Sequence, residues 1–211
     1  IFRLSTIAEY RDSNTAEHIQ RVSRVSELIA EAMGLDSEAV ELLKYATPMH
    51  DVGKVGIPDA ILLKPGHLTA AQRTIMEKHT LYGGEIFGKP EHEILSLANE
   101  VALHHHERWD GEGYPFGLKG EKIPLSGRIT AMADVFDAVV SHRCYKEAYS
   151  LEIALDIIEK DTGKHFDPAV VRAFTGILDE VLKIYPALGE TQTASVETPV
   201  PRTRLDPSGA K

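Results

Sequence analysis

Apolar residues recur at spacings of three and four along most of the chain, and that period predicts helices rather than strands. Val22, Val25, Leu28, Ile29, Ala32 and Met33 mark one face of a first helix, with Gly34 as its stop. A second helix is predicted from about 37 to 49, its last turn bent by Pro48. Pro58, Pro65 and two glycines make 55–66 an irregular connector. Thr69 followed by Gln72 reads as a capping box that opens a helix running through His79. Further helices are predicted over 91–104, 126–140 and 150–160. A last one starts at Asp167, an N-cap with Pro168 behind it, and ends near Tyr185. No segment shows the alternation of a strand, and no internal repeat is visible.

Two stretches break the pattern. Residues 110–127 hold Gly111, Gly113, Gly117, Gly120 and Gly127, and read as a long structured loop. Such a loop inside a compact domain is more often functional than accidental. Beyond Pro186 the apolar pattern stops and Thr, Pro, Ser and Gly accumulate, so one domain over 1–186 and a disordered tail over 187–211 are expected.

Composition narrows the class. At 43% apolar and 26% charged, the chain has the balance of a globular protein with a real core. Lys and Arg number 23 against 32 for Asp and Glu, a net charge of -9, which argues against a DNA or RNA polymer as partner. A small anionic ligand held by a local basic cluster remains compatible. The single cysteine, Cys144, forbids an internal disulfide and fits a reducing, cytoplasmic setting. No apolar run approaches the ~20 residues of a membrane span. Ile1 in place of Met suggests a fragment or processed product, with an N-terminal sensor or receiver domain expected outside it.

The ten histidines carry the chemistry. His50-Asp51 closes an apolar helix; imidazole and carboxylate are the usual ligands of divalent first-row metals, and a carboxylate bridges two ions readily. Alone, the pair reads more readily as a capped helix end with a surface histidine. Downstream stand His105-His106-Glu107 and then Asp110-Gly111-Glu112-Gly113-Tyr114-Pro115. Neighbours on a helix point about 100° apart, so adjacent histidines reach one ion most easily at a fraying end. Asp134 lies in an apolar helix, where a charge is costly without a partner or cation. Asp137, one turn on, is a further ligand or an outer partner; His18 and His79 sit on helices of their own.

In order and spacing, His50-Asp51-Val52-Gly53-Lys54, His105-His106-Glu107 through Gly113-Tyr114-Pro115, and Ala133-Asp134-Val135-Phe136-Asp137 resemble the HD-GYP family. Gly56-Ile57-Pro58-Asp59, Lys64-Pro65-Gly66 and Lys78-His79-Thr80 match as well, and the likeness covers residues 7–174. It implies an all-α HD-domain bundle of about seven helices, with the Gly/Pro-rich loop over a metal site. The metal ligands implied are His18, His50, Asp51, His79, His105, His106 and Asp134, with Asp51 bridging two ions of iron or manganese. One ion would take His18, His50 and Asp134, the other His79, His105 and His106. Some members hold a third ion with a glutamate where this chain has Asn14, so two ions are expected here.

The activity implied is hydrolysis of cyclic di-GMP by a metal-bridging hydroxide, either stopping at the linear dinucleotide or going on to GMP. Lys54 would contact the phosphate, as would Arg143 and Lys146, although Cys144 stands where the family usually has proline. Tyr114 borders the base; Trp109 is a stacking or a packing residue. Glu107 and Asp110 are expected to orient the histidines. His67, His92, His104, His142 and His165 match no ligand position and read as surface or helix-end residues. Alternatives are a 3′,3′-cyclic GMP-AMP phosphodiesterase, a catalytically silent module docking a diguanylate cyclase or other signalling partner, and a mononucleotide phosphohydrolase. The last leaves the loop and the basic pair without a purpose.

Overall fold

The computed structural model describes Ser5, residues 16–141, residues 148–186 and Leu188. The helical reading holds. In chain order the described helices are α1 (Ala16–Ala32), α2 (Ser37–Ala46), α3 (Asp59–Leu62), α4 (Ala70–Met76), α5 (His79–Phe87), α6 (Glu93–His104), α7 (Leu125–Val140), α8 (Leu151–Asp161), α9 (Pro168–Gly176) and α10 (Leu178–Leu182). Tighter 3-10 turns occupy Thr47–Met49, Val52–Gly56 and Gly120–Lys122. Among the described residues there is no strand, only an isolated bridge between Thr162 and Phe166.

The caps stand where the sequence puts them. Thr69 accepts from the Gln72 amide at 3.3 Å while the Gln72 side chain accepts from the Thr69 amide at 3.0 Å. Asp167 accepts from Ala169 at 2.7 Å, and Asp36 caps α2 through Ala39 at 2.9 Å.

More segments form than the apolar pattern predicts, and each surplus has a local cause. The connector at 55–66 carries α3, whose Ile61 and Leu62 bury against Ile57 and Met76 in a small core of their own. The last helix breaks at Ile177, where the backbone leaves the helical region (φ -114°, ψ 17°). The helix expected to run through His79 stops at Met76 and restarts at His79.

The main core joins α1, α2, α6, α7, α8 and α9. Val22, Val25 and Ile29 of α1 and Ile129, Met132 and Phe136 of α7 are fully buried. Phe136 meets Phe174 edge-on at 4.9 Å and Tyr185 at 5.3 Å. Burying one such ring contributes ~1.5–3 kcal/mol. The packing lays α1 beside α7, and His18 and Asp134 come to the same end of that pair. Of the tail expected from 187, Leu188 is buried and the rest lies outside the described residues. No described helix is long and apolar enough to cross a membrane.

Candidate metal centre

The His50-Asp51 pair sits between two tight turns. Pro48 stands in the first, and His50 closes it by donating its amide to Thr47 O at 3.1 Å. The second turn, Val52–Gly56, lies directly on the start of α5. A Cβ on Gly53 would come within 1.9 Å of His79 O and 2.4 Å of Gly83 N, so only glycine permits the approach that sets Asp51 beside His79.

Three imidazoles are held in the same manner. The Nδ1 of His50 faces Thr47 O at 2.9 Å, that of His79 faces Met76 O at 2.8 Å, and that of His105 faces Val101 O and Ala102 O, both at 3.1 Å. A carbonyl only accepts, so Nδ1 carries the proton and Nε2 presents its lone pair. The acceptors are carbonyls at helix or turn ends; Thr47 O and Val101 O also take the amides of His50 and His105, so there the imidazole occupies the second lone pair. In a continuous helix Met76 O would take the Thr80 amide; here the His79 ring takes it, and Thr80 N turns to Glu77 O at 3.4 Å. That exchange accounts for the break before α5.

The seven expected ligands converge. Donor atoms of Asp51, His79, His105 and His106 lie within 4.8 Å of one another, and so do those of His18, His50 and Asp134. Asp51 stands between the groups with one oxygen for each. Its Oδ1 is 3.3 Å from His79 Nε2 and 3.6 Å from His105 Nε2, while its Oδ2 is 3.4 Å from His50 Nε2. His18 Nε2 and His50 Nε2 approach Asp134 Oδ1 at 3.6 and 3.9 Å. His18 Nε2 and Asp51 Oδ1 are buried with no hydrogen-bond donor. Buried acceptors aimed at one another call for a cation, so the donor set fits divalent ions.

The electrostatics agree. Burial pushes the His79 imidazole down to about 4, and burial with the neighbouring His105 and His79 takes His106 well below its ordinary range. Both are therefore neutral and ready to ligate. Burial favours a protonated Asp51, but Lys54 and His50 outweigh it and hold the carboxyl well below the usual range. Lys54 Nζ lies 2.5 Å from Asp51 Oδ2.

Other expectations resolve differently. Asp137 takes the outer of its two expected places, behind His18, whose Nδ1 donates to it at 2.7 Å. Glu107 does not orient a histidine: its two oxygens accept the amides of Phe116 and Leu118, each at 2.8 Å, and so tie down the loop. Asp110 pairs with Arg108 at 2.6 Å instead. Tyr114 stacks on His106 at 4.7 Å, its rings 28° apart, and burial raises its hydroxyl well above the ordinary range. Trp109 packs, with the Arg128 guanidinium 5.8 Å over its ring. His67 and His92 are exposed as expected, but His165 is buried against Phe166 and His104 is half-buried. Arg143, Lys146, His142 and Asn14 lie outside the described residues. Sequence reasoning missed Arg21 and Tyr185, which both bond Asp137. Arg21 shares a face of α1 with His18 by its spacing of three; Tyr185 carried no signal.

Histidine and aspartate from five separated stretches of a helical domain thus meet in one centre that could hold metal ions. A family model described as HD domain matches residues 3–170. The chain belongs to the HD-domain family, and the resemblance of its motifs to the HD-GYP branch holds. It is 49% identical over 182 residues to a cyclic di-GMP phosphodiesterase of Thermotoga maritima, covering 86% of this chain and 50% of that protein. It is 43% identical over 188 residues to 3'3'-cGAMP-specific phosphodiesterase 2 of Vibrio cholerae, covering 89% of this chain and 36% of that protein. The chain thus spans half the length of these relatives, or less. The crystal structure of a cyclic GMP-AMP-specific phosphodiesterase of V. cholerae shares the fold at TM-score 0.62 and 19% identity, over 90% of this chain and 50% of that one.

Proposed function

We propose that this chain is the hydrolytic domain of a cyclic dinucleotide phosphodiesterase, with cyclic di-GMP as substrate and the linear dinucleotide as first product. The observation that carries the reading is Asp51, whose two oxygens each face a separate group of ligands. His18, His50 and Asp134 would hold one divalent ion and His79, His105 and His106 the other, with Asp51 shared. When bound, two such ions supply an acidified water and neutralise charge at phosphorus. Iron or manganese suits a set of imidazoles and carboxylates.

The chain's own groups do the rest. Neutral imidazoles keep their lone pairs inward because main-chain carbonyls hold their other nitrogens. Lys54 keeps a positive charge at the edge of the centre, where a non-bridging phosphate oxygen would sit. Tyr114 walls the site over His106 and offers a neutral hydroxyl to the substrate. Arg143 and Lys146 are proposed to bind the second phosphate. The same reading places the reaction in the cytoplasm, beside a diguanylate cyclase or another signalling partner that supplies the substrate or the input.

The likeness to a 3'3'-cGAMP-specific enzyme favours a second substrate of the same class, cyclic GMP-AMP. Incubating Mn²⁺- or Fe²⁺-loaded protein with each dinucleotide and separating the products by chromatography decides between them. Linear dinucleotide from cyclic di-GMP, lost in Asp51→Ala, is the expected result. Inertness towards both substrates in protein carrying two ions would overturn the proposal and leave a silent docking module.

A further inference from the structure

We propose that Arg21 and Tyr185 are positioning residues for one half of the metal centre. Through Asp137 they hold His18 where the His18–His50–Asp134 group needs it, and they do not touch the other half. The inference rests on the two-ion reading of the site.

The histidines differ in what holds them. His50, His79 and His105 lean on main-chain carbonyls, which their own helices and turns hold still. His18 leans on a side chain. A carboxylate turns easily about its terminal bond, whose torsional wells are broad, so Asp137 orients His18 only if something orients Asp137. Arg21 and Tyr185 supply this. Arg21 Nε donates to Asp137 Oδ1 at 2.5 Å and its Nη2 to Oδ2 at 3.1 Å. The Tyr185 hydroxyl donates to Oδ1 at 2.8 Å. With His18 on Oδ2, both oxygens are committed and the carboxylate plane is set.

The brace is itself braced. Arg21 Nη2 also donates to Ser141 Oγ at 3.0 Å, and its guanidinium lies 5.6 Å over the Tyr185 ring. That ring stands edge-on to Phe136, the residue before Asp137, at 89°. Asp137 is 1% exposed, so water does not replace a lost donor. The pieces come from α1, from α7 and from the segment after α10, which ties residue 185 of the chain to a ligand at residue 18. Outer partners of this kind change metal affinity by ~10–100-fold when removed.

Titration of metal-free full-length chain with Mn²⁺, following the free ion by electron paramagnetic resonance, tests the inference. Wild type should take up two ions. His18→Ala should lose one binding step, which identifies the step belonging to this half. Tyr185→Phe keeps the ring on Phe136 and removes only the hydroxyl; it should weaken that same step about 10-fold and leave the other within about 2-fold. Arg21→Gln should act in the same direction, and Tyr185→Phe decides alone if the arginine variant does not fold. Two steps at wild-type affinity in Tyr185→Phe, or equal weakening of both, would overturn the inference while sparing the two-ion reading. A wild-type chain that does not take up two ions would sink both.

Discussion

Replacing Asp51 by Asn keeps the shape of the side chain and removes its charge. The carboxylate stands 2.5 Å from Lys54 Nζ at 7% exposure, so the variant breaks a buried ion pair. Removing one partner from such a pair costs ~3–5 kcal/mol. Lys54 and His50 keep further contacts, which puts the expectation near ~3 kcal/mol. For a domain of this size each kcal/mol shifts the melting temperature by ~2–4 °C, hence a fall of about 6–12 °C. Metal should then separate the two proteins further. An ion present at a hundredfold its Kd stabilises by ~2.7 kcal/mol, and two by about 5 kcal/mol. Because Asp51 gives one oxygen to each group, the variant should lose most of both contributions rather than one. The assay is thermal unfolding of both proteins with chelator and with excess Mn²⁺. A metal-free variant melting within about 2 °C of wild type would refute the ion-pair argument. A variant that kept half or more of the metal-induced rise would refute the shared carboxylate.

Other perturbations test separate links. Gly53→Ala places a methyl against main chain that cannot step aside; it should lower stability by ~1–3 kcal/mol and cut retained metal, read by unfolding and elemental analysis. Glu107→Gln sets an amide group against the amide of Phe116 or Leu118. The mismatch costs ~1–3 kcal/mol, and it should raise KM for the dinucleotide more than it lowers kcat, since the loop carries Tyr114. His165 is held down to about 3, chiefly by burial. Between the ordinary value of ~6.5 and the folded value, the unfolded chain binds a proton that the folded chain refuses, so stability falls as pH falls through that window. Denaturant unfolding should show the loss between pH 7 and pH 5 smaller by ~2 kcal/mol in His165→Gln than in wild type.

The candidate ligands were legible because each stands at a fixed place in motifs that resemble the HD-GYP family. His50-Asp51 and His105-His106 stand at helix ends, where the chain can turn two neighbours toward one point. What failed was what spacing does not encode. The break between α4 and α5 depends on an imidazole competing with an amide for Met76 O, and the apolar period runs through it unchanged. Glu107 looks in sequence like a partner of the histidines beside it, yet its carboxylate serves amides nine and eleven positions on. His165 reads as a surface residue, yet its ring stacks on Phe166 and the Trp109 amide holds its carbonyl. Tyr185 reaches Asp137 across 48 residues of sequence, and no local pattern announces such a contact.

The three carbonyl-bound histidines link the candidate metal centre to the helix and turn ends around it. A carbonyl at a helix or turn end has a lone pair to spare, and Met76 O lacks the Thr80 amide it would take in a continuous helix. An imidazole placed three or four residues on satisfies such a carbonyl with Nδ1 and, by doing so, must turn Nε2 outward with its lone pair free. At Met76 the interaction that closes the helix end is therefore also the one that orients the candidate ligand His79. Neither depends on the ion, so these ligands should stay oriented in metal-free protein, and the entropy of ordering them is met during folding rather than at binding. His18 stands apart: its orientation comes from side chains, and it is the ligand whose position mutation should loosen without disturbing any helix.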